Sequence, residues 1–367
     1  MNFTRLVTQN YFSYMVYKMS VKIEKVFIES LFDNKNIDWK LKDVNVLVGK
    51  NGAGKTTILQ LINAVILNNS KSDSLNFCES VSLYFKNEEA KDKSITLVNQ
   101  SALKKHAKSI YISQEDYFNK IIENQLKDAM SKFEIKRKHS NNRVENFKIS
   151  NFQTDFIDNF KNSIKKSILK DLENDENIEI FCNEKYKENS TNLSVEYIST
   201  INMSANSINN ITKSDGKNTN FLDYEIREEL NNLLKSKNTT NKRNLIDALN
   251  SMFSDSNKKV EIKNQDLLFT LENGKTIGYN SLSSGERQVI YIFIKVIKAS
   301  INNSLILMDE PEISLHLSWQ ENLLTAIRKV NKNSQIIIVT HSPAIVMNGW
   351  MDSFVDIKDI FVEKEND

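Results

Sequence analysis

The segment GKNGAGKTT, residues 49 to 57, constrains this chain more than any other. There are 8 glycines in 367 residues, and three of them, Gly49, Gly52 and Gly54, fall within these nine. Glycine reaches backbone conformations closed to other residues, so such a cluster in a glycine-poor chain marks a backbone that must curl tightly. Its spacing fits G-x-x-x-x-G-K-[ST], with Gly49, Gly54, Lys55 and Thr56 at the fixed positions. The β-branched run VNVLV precedes it, which predicts a strand. After it, Ile58, Leu59, Leu61, Ile62, Val65 and Ile66 recur at helical spacing. A strand that passes through a glycine loop into a helix is a phosphate cradle.

The residue types follow from that task. Gly52 and Gly54 let successive N–H groups from Lys50, Asn51, Ala53 and their neighbours point inward at an anion. The helix N-terminus, opened by Lys55, Thr56 and Thr57, adds a favourable dipole. Lys55 places a cation on the β- and γ-phosphates, and Thr56 offers its hydroxyl to Mg2+. Residues 49–57 are thus the predicted binding site for ATP with Mg2+. The alternative is a flexible surface turn, which the strand–loop–helix context disfavours.

A second cluster lies at LILMDEPE. Asp309 and Glu310 stand where an apolar strand ends, and α/β folds bind ligands at that edge of the sheet. Asp309 is placed to hold Mg2+, and Glu310 to polarise an attacking water. Adjacent acids are common on surfaces; it is the preceding apolar strand that gives this pair its meaning.

Punctuation is uneven along the chain. Between Lys55 and Asp215 there is neither glycine nor proline, and both prolines, Pro311 and Pro343, come late. KIEKVFI, IDWKL, SVSLYF, SITLVNQ and SIYIS read as strands. From 117 to about 245 the chain is polar and rich in Lys and Asn. There Phe156, Phe160, Ile164, Ile168 and Leu172 mark one amphipathic helix, and Leu230, Leu233 and Leu234 part of another. NSTNLS and KSDGKNTN read as loops. SLILM and QIIIV read as buried strands, with a helix between them on Trp319, Leu323, Leu324, Ile327 and Val330. This alternation predicts a parallel sheet with helices on its faces. The formal net charge of +2 does not announce a nucleic-acid binder. Cys78 and Cys182 are isolated, which fits a reducing cytoplasm. No apolar run approaches membrane-spanning length. Residues 1–18 read as an extension ahead of a first strand, with Met19 as an alternative start.

LSSGERQ, residues 282 to 288, narrows the class. Leu282, Ser283, Ser284, Gly285 and Glu286 resemble the LSGGQ signature of the ABC ATPase superfamily. The departures suit its SMC, Rad50 and RecF side rather than transporters. DEPEISLH followed by IIIVTHSP closely resembles the ATPase domains of OLD-like bacterial defence ATPases, members of the AAA family of ATPases. The resemblance covers roughly residues 20–115 and 245–345. It implies a P-loop NTPase of α/β class: an ABC-ATPase head with a mixed sheet and flanking helices. It also implies that His341 is the switch histidine at the γ-phosphate and that His316 stands where a D-loop aspartate would be. Ser284 and Gly285 would cap the nucleotide of a second copy, with Ser283 and Glu286 beside them. Gln114 is the candidate Q-loop glutamine, touching Mg2+ and the water; the plainer reading is a strand-end residue. Phe32 has two readings, beside the adenine or, in preference, in the core.

These readings divide the chain into an extension (1–18), a first ATPase segment (19–116), a mainly helical insertion (117–245) and a second ATPase segment (246–367). The basic run KFEIKRKHSNNR, residues 132 to 143, reads first as a solvated helix face, with nucleic acid or a docking protein as alternatives. The chain after His341 is too short for a Toprim nuclease domain, so any nuclease or toxin effector is expected on a separate chain. The expectation is a cytoplasmic ATPase that sandwiches ATP between two copies of itself, alone or in a larger assembly, in antiphage defence. The rivals are a DNA-repair ATPase of RecF or Rad50 type and, less favoured, a transporter energy subunit.

Overall fold

The computed structural model describes residues 22–33, 35–86, 93–99, 163, 166, 193–199, 210–212, 218–302 and 304–363. The chain divides into two compact units, one of Met1–Leu97 with Cys182–Asp367 and one of Val98–Phe181. Four residues of the second are described: Val98, Asn99, Ser163 and Lys166. The last two are helical and fall within the helix expected from the apolar spacing of 156–172. Gln114, the strand SIYIS and the basic run 132–143 lie outside the described residues.

The first unit opens with strands β1 (Lys22–Leu31), β2 (Lys35–Lys40) and β3 (Val44–Val48), then helix α1 (Lys55–Ile66). β4 (Ser80–Lys86) and β5 (Lys93–Val98) follow. After the second unit come β6 (Val195–Ser199), the hairpin β7 (Asn210–Thr212) and β8 (Asn218–Asn220), and helices α2 (Phe221–Lys235) and α3 (Thr239–Met252). β9 (Lys259–Lys263), β10 (Asp266–Thr270) and β11 (Thr276–Gly278) lead into α4 (Ser284–Asn302). The chain then alternates through β12 (Leu305–Asp309), α5 (Leu317–Val330), β13 (Ile336–Thr340), α6 (Ala344–Met347), β14 (Phe354–Asp356) and β15 (Phe361–Val362).

The central sheet has the order β14-β3-β13-β12-β6, and its four strand pairings are parallel. β12 and β13 are buried along their whole length, as uninterrupted apolar runs in a parallel sheet must be. The register sets Asp309 beside Val339 and Ser199, and Thr340 beside Val48. The C-terminal ends of four strands therefore finish together. A second sheet, β15-β2-β1-β4-β5, is antiparallel at its β1–β2, β1–β4 and β2–β15 pairs. Helix α1 touches β4 of this sheet and β12 and β13 of the central one, so its apolar residues are buried on more than one face.

Helices α2, α3, α4 and α5 pack together over the central sheet in one large core, in which Ile290, Ile294, Ile297, Leu323 and Ile327 are buried. α4 is rich in β-branched residues, and propensity alone would make ERQVIYIFIKVI a strand. Burial on nearly every side and a strong N-terminal cap decide for helix instead.

Three differences from the sequence reading stand out. β6 joins the central sheet, although it lies in the span 117–245 read as mainly helical. The 245/246 boundary falls inside α3. Of the expected loop KSDGKNTN, residues 218–220 pair with 210–212 as a hairpin. For the strands the reason is shared: a short strand in a polar stretch gives no periodic signal, and a neighbour in space supplies its hydrogen bonds.

Candidate nucleotide site

β3 delivers the chain to the phosphate loop at the carboxyl edge of the parallel sheet. Gly54 sits at φ +97°, and a side chain there would also strike the ring of Phe32, 2.7 Å from its Cε2. Gly52 is at φ +75°. Gly49 has a different reason to be glycine: a Cβ would lie 2.5 Å from Cγ2 of Ile357. The residues spaced as a cradle thus build one, and two of its glycines are demanded by backbone shape.

Lys55 leads α1 with its ammonium turned back over the loop. Its Nζ donates to the carbonyls of Gly49 (3.0 Å) and Lys50 (3.3 Å) and to Nε2 of His341 (2.9 Å). It also lies 3.8 Å from Oε1 of Glu310. Burial lowers the pKa of Lys55, and the charges of Glu310, Glu312 and Asp309 only partly oppose that. Thr56 donates its hydroxyl to Oδ1 of Asp309 at 2.9 Å, so the two expected Mg2+ ligands are already in contact. A hydroxyl and a buried carboxylate, both oxygen donors, suit a hard divalent cation. Burial raises the pKa of Asp309, against the pull of Thr56, Tyr197 and Lys55.

Glu310 follows at φ +50°, a left-handed conformation that costs a non-glycine residue energy. The turn brings its carboxylate back to the sheet edge, where Oε2 accepts the N–H of His341 at 3.0 Å. Burial pushes the Glu310 carboxyl up to about 8, and the neighbouring Glu312 adds to the effect. Oε1 of Glu310 is 3.1 Å from Nε2 of His341. Burial and then Lys55 lower the pKa of His341, so the imidazole is neutral and this contact is not an ion pair.

At the start of α4, Ser283 and Glu286 form a reciprocal cap. Glu286 Oε2 accepts from the N–H and the hydroxyl of Ser283, both at 2.9 Å, while the Glu286 N–H reaches Ser283 Oγ at 3.4 Å. Lys258 closes the motif with an ion pair to Glu286. Glu286, expected beside nucleotide, is buried and occupied in holding Ser283. Gly285 packs so closely on the next loop that a Cβ would lie 2.3 Å from the carbonyl oxygen of Ser314. His316 is exposed, with Nδ1 3.1 Å from the Ser318 hydroxyl.

Sequence reasoning missed two residues here. Glu312 accepts from Thr340 and from the N–H groups of His341 (2.9 Å) and Ser342 (3.2 Å). Tyr197 on β6 points its hydroxyl at Oδ2 of Asp309, 3.5 Å away. The second E of DEPE was the available signal for Glu312; nothing in VEYIS marked Tyr197. Phe32 is a correction: it is 41% exposed rather than in the core, against Gly54 and tilted on Phe77, with ring centroids 5.6 Å apart.

Residues 44–348 match a family model described as "AAA domain, putative AbiEii toxin, Type IV TA system". The chain is 29% identical over 132 residues to "Retron Ec83 probable ATPase" of Escherichia coli, a match covering 33% of this chain and 24% of that protein. It is 32% identical over 103 residues to "Septu protein PtuA" of Bacillus thuringiensis, covering 24% of this chain and 26% of that one. The chain thus spans about a quarter of the length of these relatives. Among solved structures it is similar to an SMC head bound to the C-winged helix domain of ScpA, with TM-score 0.48 and 11% identity, over 89% of this chain and 92% of that one.

Proposed function

The chain belongs to that AAA-domain family, as an ABC-like P-loop ATPase of the defence-associated group, and from this premise we propose that it hydrolyses ATP between two copies of itself to control a separate effector. One observation carries the reading. Lys55, Thr56, Asp309, Glu310 and His341 come from two strand ends and one helix start, and they meet within hydrogen-bonding or ion-pairing distance.

The phosphate loop and Lys55 would bind the triphosphate, with the exposed Phe32 beside Gly54 offering its ring to the base. Thr56 and Asp309 would hold Mg2+, which supplies charge neutralisation on the phosphate oxygens. In its ionised form Glu310 takes the proton of the attacking water, and His341 reads the γ-phosphate end of the site. Ser284 and Gly285, fixed by the cap at the start of α4, serve the site of the second copy. Gln114 keeps its proposed contact with Mg2+ and water. Among the described residues no helix is long and apolar enough to cross a membrane. Two of the relatives are named for the retron and Septu systems, which supports a defence role; the cytoplasm as its place and a nuclease or toxin as the controlled partner are part of the proposal.

The test is phosphate release by purified protein with ATP and Mg2+. Glu310→Gln should lower turnover by about 10²–10⁴-fold, the usual contribution of a positioned base. ATP binding, followed by a fluorescent analogue, should persist. Unchanged turnover in that variant would refute the reading.

A further inference from the structure

We propose that Glu312 is a positioning residue that sets the switch histidine, making the second glutamate of DEPE a working part of the site; this rests on the ATPase reading above. The segment 340–342 leaves β13 as Thr340, His341 and Ser342, and a catalytic histidine on such a turn needs its backbone held. Glu312 holds it at three points with one oxygen. Oε1 accepts the Thr340 hydroxyl, the His341 N–H at 2.9 Å and the Ser342 N–H at 3.2 Å. Thr340 is fully buried and Glu312 is 8% exposed, so no water competes freely for these bonds.

The clamp has a second pin on its far side. Ser342 donates its hydroxyl to Oε1 of Gln320 at 2.7 Å, and Gln320 Nε2 donates to the Leu315 carbonyl at 3.0 Å. Glu312 is fixed in turn by its own loop: Gln288 of α4 donates to the carbonyl of Pro311 at 3.0 Å. The His341 N–H is shared between Glu312 and Glu310, which accepts it at 3.0 Å. A single backbone N–H therefore ties the switch histidine to both glutamates. Glu312 also lies beside the Glu310 carboxyl and helps to raise its pKa; the part proposed here is the one it plays through where His341 sits. An exposed acid two positions after a catalytic one would be an ordinary surface residue. This one is buried and spent on three donors of the very segment that carries the histidine.

Steady-state ATPase kinetics test this in wild type, Glu312→Ala, Glu312→Gln, Thr340→Val, His341→Ala and the Glu312→Ala/His341→Ala double variant. Displacing a catalytic group by about 1 Å costs up to about 10²-fold in rate, so Glu312→Ala should lose turnover on that scale with KM nearly unchanged. Glutamine retains an oxygen of the same reach and should restore most of the loss. Thr340→Val removes one of the three donors and should give a smaller loss of the same kind, which serves if the alanine variant does not fold. In the double variant most of the Glu312→Ala effect should vanish, because its route through His341 is gone and only its contact with Glu310 is left. If His341→Ala is impaired while Glu312→Ala and Thr340→Val turn over normally, or if the two alanine effects multiply, the clamp is overturned and the ATPase reading stands. If His341→Ala matches wild type, the role given to the histidine falls first, and the clamp with it.

Discussion

Glu310 carries the strongest single-residue prediction. Its carboxyl is pushed from 4.5 to about 8, by burial first and Glu312 second. Between those pH values the folded chain holds a proton that the unfolded chain has released. Stability must therefore fall as pH rises through this window. Glutamine at 310 has no such proton. The melting temperature of Glu310→Gln should draw away above that of wild type between pH 5 and about pH 8, by the sign of that linkage. Parallel curves from scanning calorimetry would contradict the buried-acid account. Legibility at this scale depended on distance along the chain. Gly49, Lys55, Thr56, Asp309 and Glu310 were readable from local spacing, and His341 from resemblance alone; the structure brings Lys55, Thr56, Asp309, Glu310 and His341 together. Tyr197 reaches Asp309 from 112 positions away, and Glu312 reaches His341 from 29. No local pattern records such contacts. Phe32 went astray for a related reason: at φ +51° its backbone turns it out beside Gly54, and an aromatic residue read in isolation defaults to the core.

At the scale of elements, α4 shows composition overruled. Its β-branched run buries on almost all sides, while Ser283, Glu286 and Lys258 fix its first turn. Glu286→Ala removes the reciprocal cap and leaves Lys258 without its partner. Loss of a cap costs about 1 kcal/mol and up to about 2 kcal/mol, so the urea midpoint should drop accordingly. A midpoint equal to wild type would show that burial alone defines the helix start. Gly285→Ala is harsher. The new methyl would meet the backbone carbonyl of Ser314 at 2.3 Å, and backbone cannot step aside as a flexible side chain can. Overpacking of this kind costs about 1–3 kcal/mol. It should also push the start of α4 away from Ser314, so phosphate release should fail even at temperatures where circular dichroism shows the variant folded. β6 marks the opposite limit. Five residues with mixed burial, in a polar stretch, gave no sign of a strand; the open edge of β12 makes it one.

For the whole molecule, the question is whether a working site needs two copies. The phosphate loop with Asp309, Glu310 and His341 gathers at one sheet edge, whereas Ser284 and Gly285 stand at the start of α4, Gly285 against Ser314. A symmetric pair would give each loop the other copy's α4 start, two composite sites related by a two-fold axis. Two variants separate this from a self-sufficient monomer. Lys55→Ala disables the loop and leaves the signature intact. Ser284→Arg blocks the signature and leaves the loop able to bind ATP. Each alone should release almost no phosphate. Mixed in equal amounts, half of the randomly formed pairs contain one of each. Each such pair holds one site built from the sound loop of one copy and the sound signature of the other. The mixture should thus regain about a quarter of wild-type turnover, a consequence of two-fold symmetry with independent sites. The recovered activity should fall on dilution, because the pair must form before it can act. A mixture as inactive as its components would mean that loop and signature serve the same copy, and the two-copy mechanism would be lost.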